Sequence, residues 1–207
     1  MNWNRPIHIG RLGIPLLAIL LVAMVAVASA TVFVFFYSGM TLTVRSPDVT
    51  LAAGSDASAS CTMYPCATVA ISSTSDTARV SLSMFKADTT FTPVPATYYS
   101  NLVLINDANN GHVINSIQVF SIGTTGTPFG SVTVYYCTTQ TNFNPNGTPV
   151  TACTGSYTFT AATSGTVFTG SQGIAVGATQ YIELVSYAGS SAASGNTITF
   201  TVSISWT

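Results

Sequence analysis

Few side chains in this sequence are equipped for chemistry, and their spacing limits what they can do. Beyond residue 30 there is one histidine, His112, in the stretch NNGHVINS. No Ser or Cys nucleophile motif accompanies it and no second metal ligand follows at i+4, so it reads as an ordinary strand residue rather than a base or ligand. Glu183, in YIELVSY, is the only glutamate, and Lys86 is the only lysine. A Lys-Asn isopeptide crosslink assisted by a buried acid is chemically allowed for that pair, with loss of one ammonia. The simpler expectation is two solvated charges. Asp107 heads the segment Asp107-Ala108-Asn109-Asn110-Gly111, where an aspartate is expected to hydrogen-bond its own turn. The run lacks the alternating ligands and distal Glu of a calcium loop. No catalytic residue, metal site or cofactor is therefore expected, and the chain is not expected to be an enzyme.

The cysteines and one asparagine carry the remaining chemistry. Cys61 and Cys66 enclose TMYP, and Cys137 and Cys153 enclose TTQTNFNPNGTPVTA. An even cysteine count in an exported chain favours disulfides. The local pairing is Cys61 with Cys66 and Cys137 with Cys153, and the other two connectivities stay open. Four-cysteine zinc is the competitor, but the distance from Cys137 to Cys153 is too long for the usual paired-ligand spacing. Asn146-Gly147-Thr148 is an N-glycosylation acceptor pattern within the longer cysteine loop.

Charge excludes further classes. Only 5% of residues are charged, against about 25% in an ordinary soluble domain. Arg5 and Arg11 fall in an N-terminal leader, leaving Arg45, Arg79 and Lys86 against six acids, a balance of -3. No basic face remains to engage phosphates, so nucleic acid is not an expected partner. Near-neutrality instead permits close self-association.

The elements that must hold these residues begin after the leader. Arg5 and Arg11 precede the uncharged run LGIPLLAILLVAMVAVA and then Ala28-Ser29-Ala30, the layout of a secretory signal with an A-x-A cleavage site. Residues 1–30 are expected to form an apolar leader helix cleaved after Ala30, touching the membrane only before cleavage. Two alternatives stand beside this. Residues 12–37 are long enough to stay as a membrane anchor of a surface domain, or the helix is retained as in type IV-type pilins. Against the latter, no Glu stands a few residues into the run, and the run turns β-branched and aromatic at Thr31.

From there TVFVFFYSGMTLTV is apolar on both parities at first, then alternates, as in a strand covered on both sides. At the other end, Ile198, Phe200, Val202, Ile204 and Trp206 alternate with Thr and Ser, which predicts one buried face. Strands are expected near residues 67–72, 78–85, 98–106, 112–121, 130–137, 156–160 and 180–187, with Asn-Gly and Gly-rich turns between them. The fold class is all-β: a jelly-roll or Greek-key β-sandwich of about eight to nine strands over residues 50–207.

This layout, with the strand-turn-strand segment YYSNLVLINDANNGHVINSIQVF, resembles the TasA/camelysin family of biofilm-matrix fibre proteins and, more narrowly, the archaeal bundling pilins. The resemblance implies a jelly-roll subunit of an extracellular filament, a homopolymer joined by donor-strand complementation. The donor would lie in residues 31–49, with Val32, Val34, Phe36, Met40, Leu42 and Val44 as plugs. Metallopeptidase activity has been ascribed to camelysins, but this chain has no H-E-x-x-H.

Overall fold

The computed structural model describes residues 6–9, 12–15, 48–60, 66–74, 76–83, 96–125, 130–160, 163–193 and 195–207. The chain divides into two compact units, Met1–Arg45 and Ser46–Thr207. In the first, strands β1 (Pro6–Ile9) and β2 (Leu12–Pro15) pair antiparallel, with Ile7 opposite Ile14 and His8 opposite Gly13. The start of the apolar run is thus extended where a helix was expected, in keeping with the strand preference of β-branched Ile14. The rest of the expected leader helix, the cleavage site and the candidate donor residues Val32, Val34, Phe36, Met40, Leu42 and Val44 lie outside the described residues.

The second unit is all-β. Its strands are β3 (Val49–Ala53), β4 (Cys66–Ile71), β5 (Thr77–Ser83), β6 (Ala96–Asp107), β7 (His112–Thr125), β8 (Ser131–Cys137), β9 (Gly155–Phe159), β10 (Gly165–Ile174), β11 (Thr179–Tyr187) and β12 (Thr197–Trp206). They form two antiparallel five-stranded sheets, ordered β10-β7-β12-β5-β4 and β3-β6-β11-β8-β9. From β5 onward the chain changes sheet at nearly every connection, so neighbours in sequence mostly face each other across the core.

The alternation of β12 has its predicted effect. Ile198, Phe200, Val202 and Ile204 are buried, while Thr197, Thr199 and Thr201 are only half-buried on the opposite face. Val80 and Leu82 of β5 and Ile117 and Val119 of β7 flank that stripe. Val103, Val134, Ile182 and Leu184 of the other sheet complete the same core. Aromatic pairs lock the layers together: Phe159 of β9 meets Phe200 of β12 edge-on at 5.5 Å, and Tyr136 of β8 meets Phe168 of β10 at 5.1 Å. Such pairs add about 0.5–1.5 kcal/mol each beyond their burial.

Two of the sandwich strands were not expected from the sequence. Strand β3, VTLAA, lies where the donor segment was expected to end. Strand β10, GTVFTGSQGI, has no clean period of two because its pairing with β7 shifts register between Thr166 and Phe168 and again between Thr169 and Gln172. Bulges of this kind erase the alternation that betrays a strand.

The outer faces explain how so few charges suffice. Directly opposed hydroxyls bond to each other across neighbouring strands: Ser81 with Thr199 at 3.0 Å, Ser116 with Ser205 at 2.8 Å and Thr133 with Thr158 at 2.8 Å. Thr125 and Thr197 pair in the same way. Hydroxyl pairs are one of the recognised cross-strand stabilisers.

Candidate functional site

The most elaborate arrangement of polar groups lies on the outer face of the second sheet, under the connection from β8 to β9. The expected Cys137–Cys153 disulfide is present, with Cα atoms 4.3 Å apart, and it closes that connection into a loop. Cys66 is also disulfide-bonded, and Cys61 lies outside the described residues. Sulfurs spent in a disulfide offer no thiolates, so the Cys137 and Cys153 sulfurs do not form a zinc site although they lie within 4.8 Å of a Glu183 oxygen.

The loop folds as a small hairpin of its own. Phe143 bridges Pro149, Asn144 N–H donates to Thr148 O at 2.8 Å, and Val150 N–H donates to Asn142 O at 2.8 Å. Its tip is gripped by three tyrosines from three different strands. Tyr98 of β6 donates its hydroxyl to Pro145 O at 2.9 Å, and Tyr187 of β11 to Asn146 O at 2.9 Å. Tyr135 of β8 donates to Gly147 O at 3.3 Å. Phe143 stacks on Tyr98 at 5.6 Å and leans on Tyr135 at 5.7 Å. Gly147 has φ +81°, which strains any side chain there, and a Cβ would meet Tyr187 Oη at 2.1 Å and displace the hydroxyl. Burial, and then proximity to Tyr187, pushes the Tyr135 hydroxyl above its ordinary pKa. The Tyr187 hydroxyl rises through burial and then Tyr98.

Beneath this lid sits Glu183. It was expected to be a solvated charge, and it is fully buried. Its Oε1 accepts the Thr141 N–H at 2.8 Å, and its Oε2 has no hydrogen-bond partner among the described residues. Burial pushes its carboxyl up to about 7, with a smaller contribution from Asp56, and the Thr141 bond works in the opposite direction. Local register creates the position. Tyr99 pairs with Leu184 and Val103 with Ile182, so residues 100–102 of β6 bulge against Glu183 alone. Asn101, inside the bulge, is tied to Asp56 by two bonds: Asn101 N–H donates to the Asp56 side-chain Oδ2 at 3.0 Å, and Asp56 N–H donates to Asn101 O at 2.9 Å. The Asn101 Oδ1 is also buried without a donor among the described residues. Lys86, the other member of the conceivable isopeptide pair, lies outside the described residues.

A second polar cluster closes one end of the sandwich. His112 Nδ1 is 3.0 Å from Asp107 Oδ2, its Nε2 is 3.7 Å from Asp48 Oδ2, and its ring meets Trp206 edge-on at 4.8 Å. Asp107 Oδ1 accepts the Asn109 N–H at 2.9 Å, the turn bond expected of it, and Asn109 Nδ2 donates to Asp48 Oδ1 at 3.0 Å. The turn itself is present, with positive φ at Asn110 and Gly111. Both imidazole nitrogens face carboxylates of the protein itself. The cluster ties the start of β3 to the β6–β7 turn.

Sequence reasoning missed the tyrosine grip and the burial of Glu183. The signal for the second was available: in YIELVSY, apolar residues occupy both parities around Glu183, the mark of a strand covered on both faces. No protein-family model and no curated protein matches the sequence.

Proposed function

We propose that the chain is a structural subunit of an extracellular pilus or biofilm-matrix fibre, polymerising head-to-tail as residues 31–44 of one subunit add a strand to the next. The observation that carries this reading is the character of the sandwich edges. Among the described residues, β3, β4, β9 and β10 are the edge strands, and none contains a charged residue or a proline. Charges and prolines are the usual means by which soluble proteins keep sheet edges from pairing with other chains. The charges that strands do carry are on inner ones, at Arg79, Asp107 and Glu183.

The upstream sequence TVFVFF, apolar at every position but its first, supplies the complementary element. Each fully buried Val or Phe of that segment is worth roughly 1.5–3 kcal/mol, so TVFVFF in water has a strong drive to find a partner strand. A plug and an acceptor on different parts of one chain make a heterologous contact, which propagates as a filament. We read the sandwich as a jelly roll. The orders β10-β7-β12-β5 and β6-β11-β8-β9 follow its two interlocked Greek keys, with β4 and β3 added at the edges. The disulfides fit an oxidising, extracellular setting.

Deleting residues 31–44 from the exported chain tests the proposal by electron microscopy. Loss of fibres with the sandwich still folded is the expected result. Fibres of normal appearance would overturn it, and N-terminal sequencing of wild-type fibres must place the mature start at Thr31.

A further inference from the structure

We infer that Asn146 is a glycan acceptor: its side-chain amide takes an oligosaccharide from a lipid-linked donor. The chain contains a single Asn-x-Ser/Thr triplet, Asn146-Gly147-Thr148, and the fold sets it at the exposed tip of the disulfide-closed hairpin. Turn chemistry alone accounts for part of the motif. The Asn146 Oδ1 accepts the Thr148 N–H at 3.1 Å and the Thr148 hydroxyl at 2.7 Å, while Asn144 Nδ2 donates to that hydroxyl at 3.1 Å. Every one of these duties of the Asn146 side chain is an acceptor's, and an aspartate at 146 would serve them equally. The backbone oxygen held by Tyr187 is indifferent to the side chain. What distinguishes asparagine is the Nδ2 amide, which is exposed and takes no part in the turn.

The transfer balances simply. A bond forms between Asn146 Nδ2 and the anomeric carbon, the bond from that carbon to the lipid phosphate breaks, the amide loses one proton, and the lipid phosphate departs with the electron pair. Pro149 confines Thr148 to extended backbone, which stiffens the acceptor and makes partial rather than complete occupancy the expectation. A glycan here stands on the outer face of the second sheet, so that face must point to solvent in any assembly. This inference rests on the loop alone and is independent of how subunits join.

The test is mass mapping of the peptide spanning residues 138–154, from full-length protein exported by the organism that makes it. The expected result is a population carrying sugar increments at Asn146, abolished in N146D and T148V and retained in T148S. N146D preserves the turn acceptor, so an unchanged melting temperature separates loss of glycan from loss of fold. A wholly unmodified Asn146, the mass gain of deamidation alone, or sugar increments that survive N146D would each overturn the inference.

Discussion

Glu183 is held where a carboxylate is hardest to keep ionised, and the consequence is a stability that depends on pH. Its carboxyl is raised by burial from 4.5 to about 7, so the folded state keeps a proton that the unfolded chain releases. The stabilisation is therefore complete below about pH 4.5, is lost as pH rises through 7, and changes little above that. The magnitude is on the order of 3 kcal/mol, taking about 1.36 kcal/mol per pH unit. Glu183→Gln keeps the shape and the acceptor for Thr141 N–H without the charge. Urea unfolding at pH 5 and pH 8 should then give nearly equal stabilities for the variant, whereas the wild type loses stability at the higher pH. Equal pH slopes in both proteins would show that Glu183 is not the group responsible.

At the level of elements, the β8–β9 loop is the least ordinary part of the sandwich, since it covers a sheet face that would otherwise be solvated. The Cys137–Cys153 bond closes a separation of 16 residues, for which denatured-state entropy suggests about 3 kcal/mol. Replacing both cysteines with alanine should lower thermal stability by that order. It should also flatten the pH dependence of Glu183, because a looser lid admits water to the carboxyl. Melting curves at two pH values check both effects together. The same elements show what could be read in advance. Strand β12 was legible because one face is buried and the other is not, so its residues alternate. The turn at Asp107 and the Cys137–Cys153 loop were legible because their residue types have few other uses. Strand β10 was hidden by two bulges. The tyrosine grip was hidden because Tyr98, Tyr135 and Tyr187 come from separate strands, and only the pairing of β6, β11 and β8 brings them to one loop.

For the whole molecule, the distribution of charge matters more than its total. Inner strands hold Arg79, Asp107 and Glu183, and His112 sits between Asp107 and Asp48. The edge strands are left to Thr, Ser, Gly, Gln, Cys and apolar residues, and Arg79 is exposed on the outer face of β5. Edges without charge or proline lack the usual protection against pairing with other chains, which is consistent with the proposed fibre subunit.

The hydroxyl pairs across the outer faces, Ser81 with Thr199 and Ser116 with Ser205 among them, have one more consequence. Groups that bond to each other without net charge gather no counterions, so contacts between such faces are nearly blind to ionic strength. Between about 0.01 M and 1 M salt the screening length falls from about 30 Å to about 3 Å, a range over which charge-mediated assemblies form or fall apart. On the proposed reading of the chain as a fibre subunit, its fibres should keep their turbidity and their appearance in micrographs across that whole range. Dissolution at either end would mean that the few remaining charges carry the contacts between subunits.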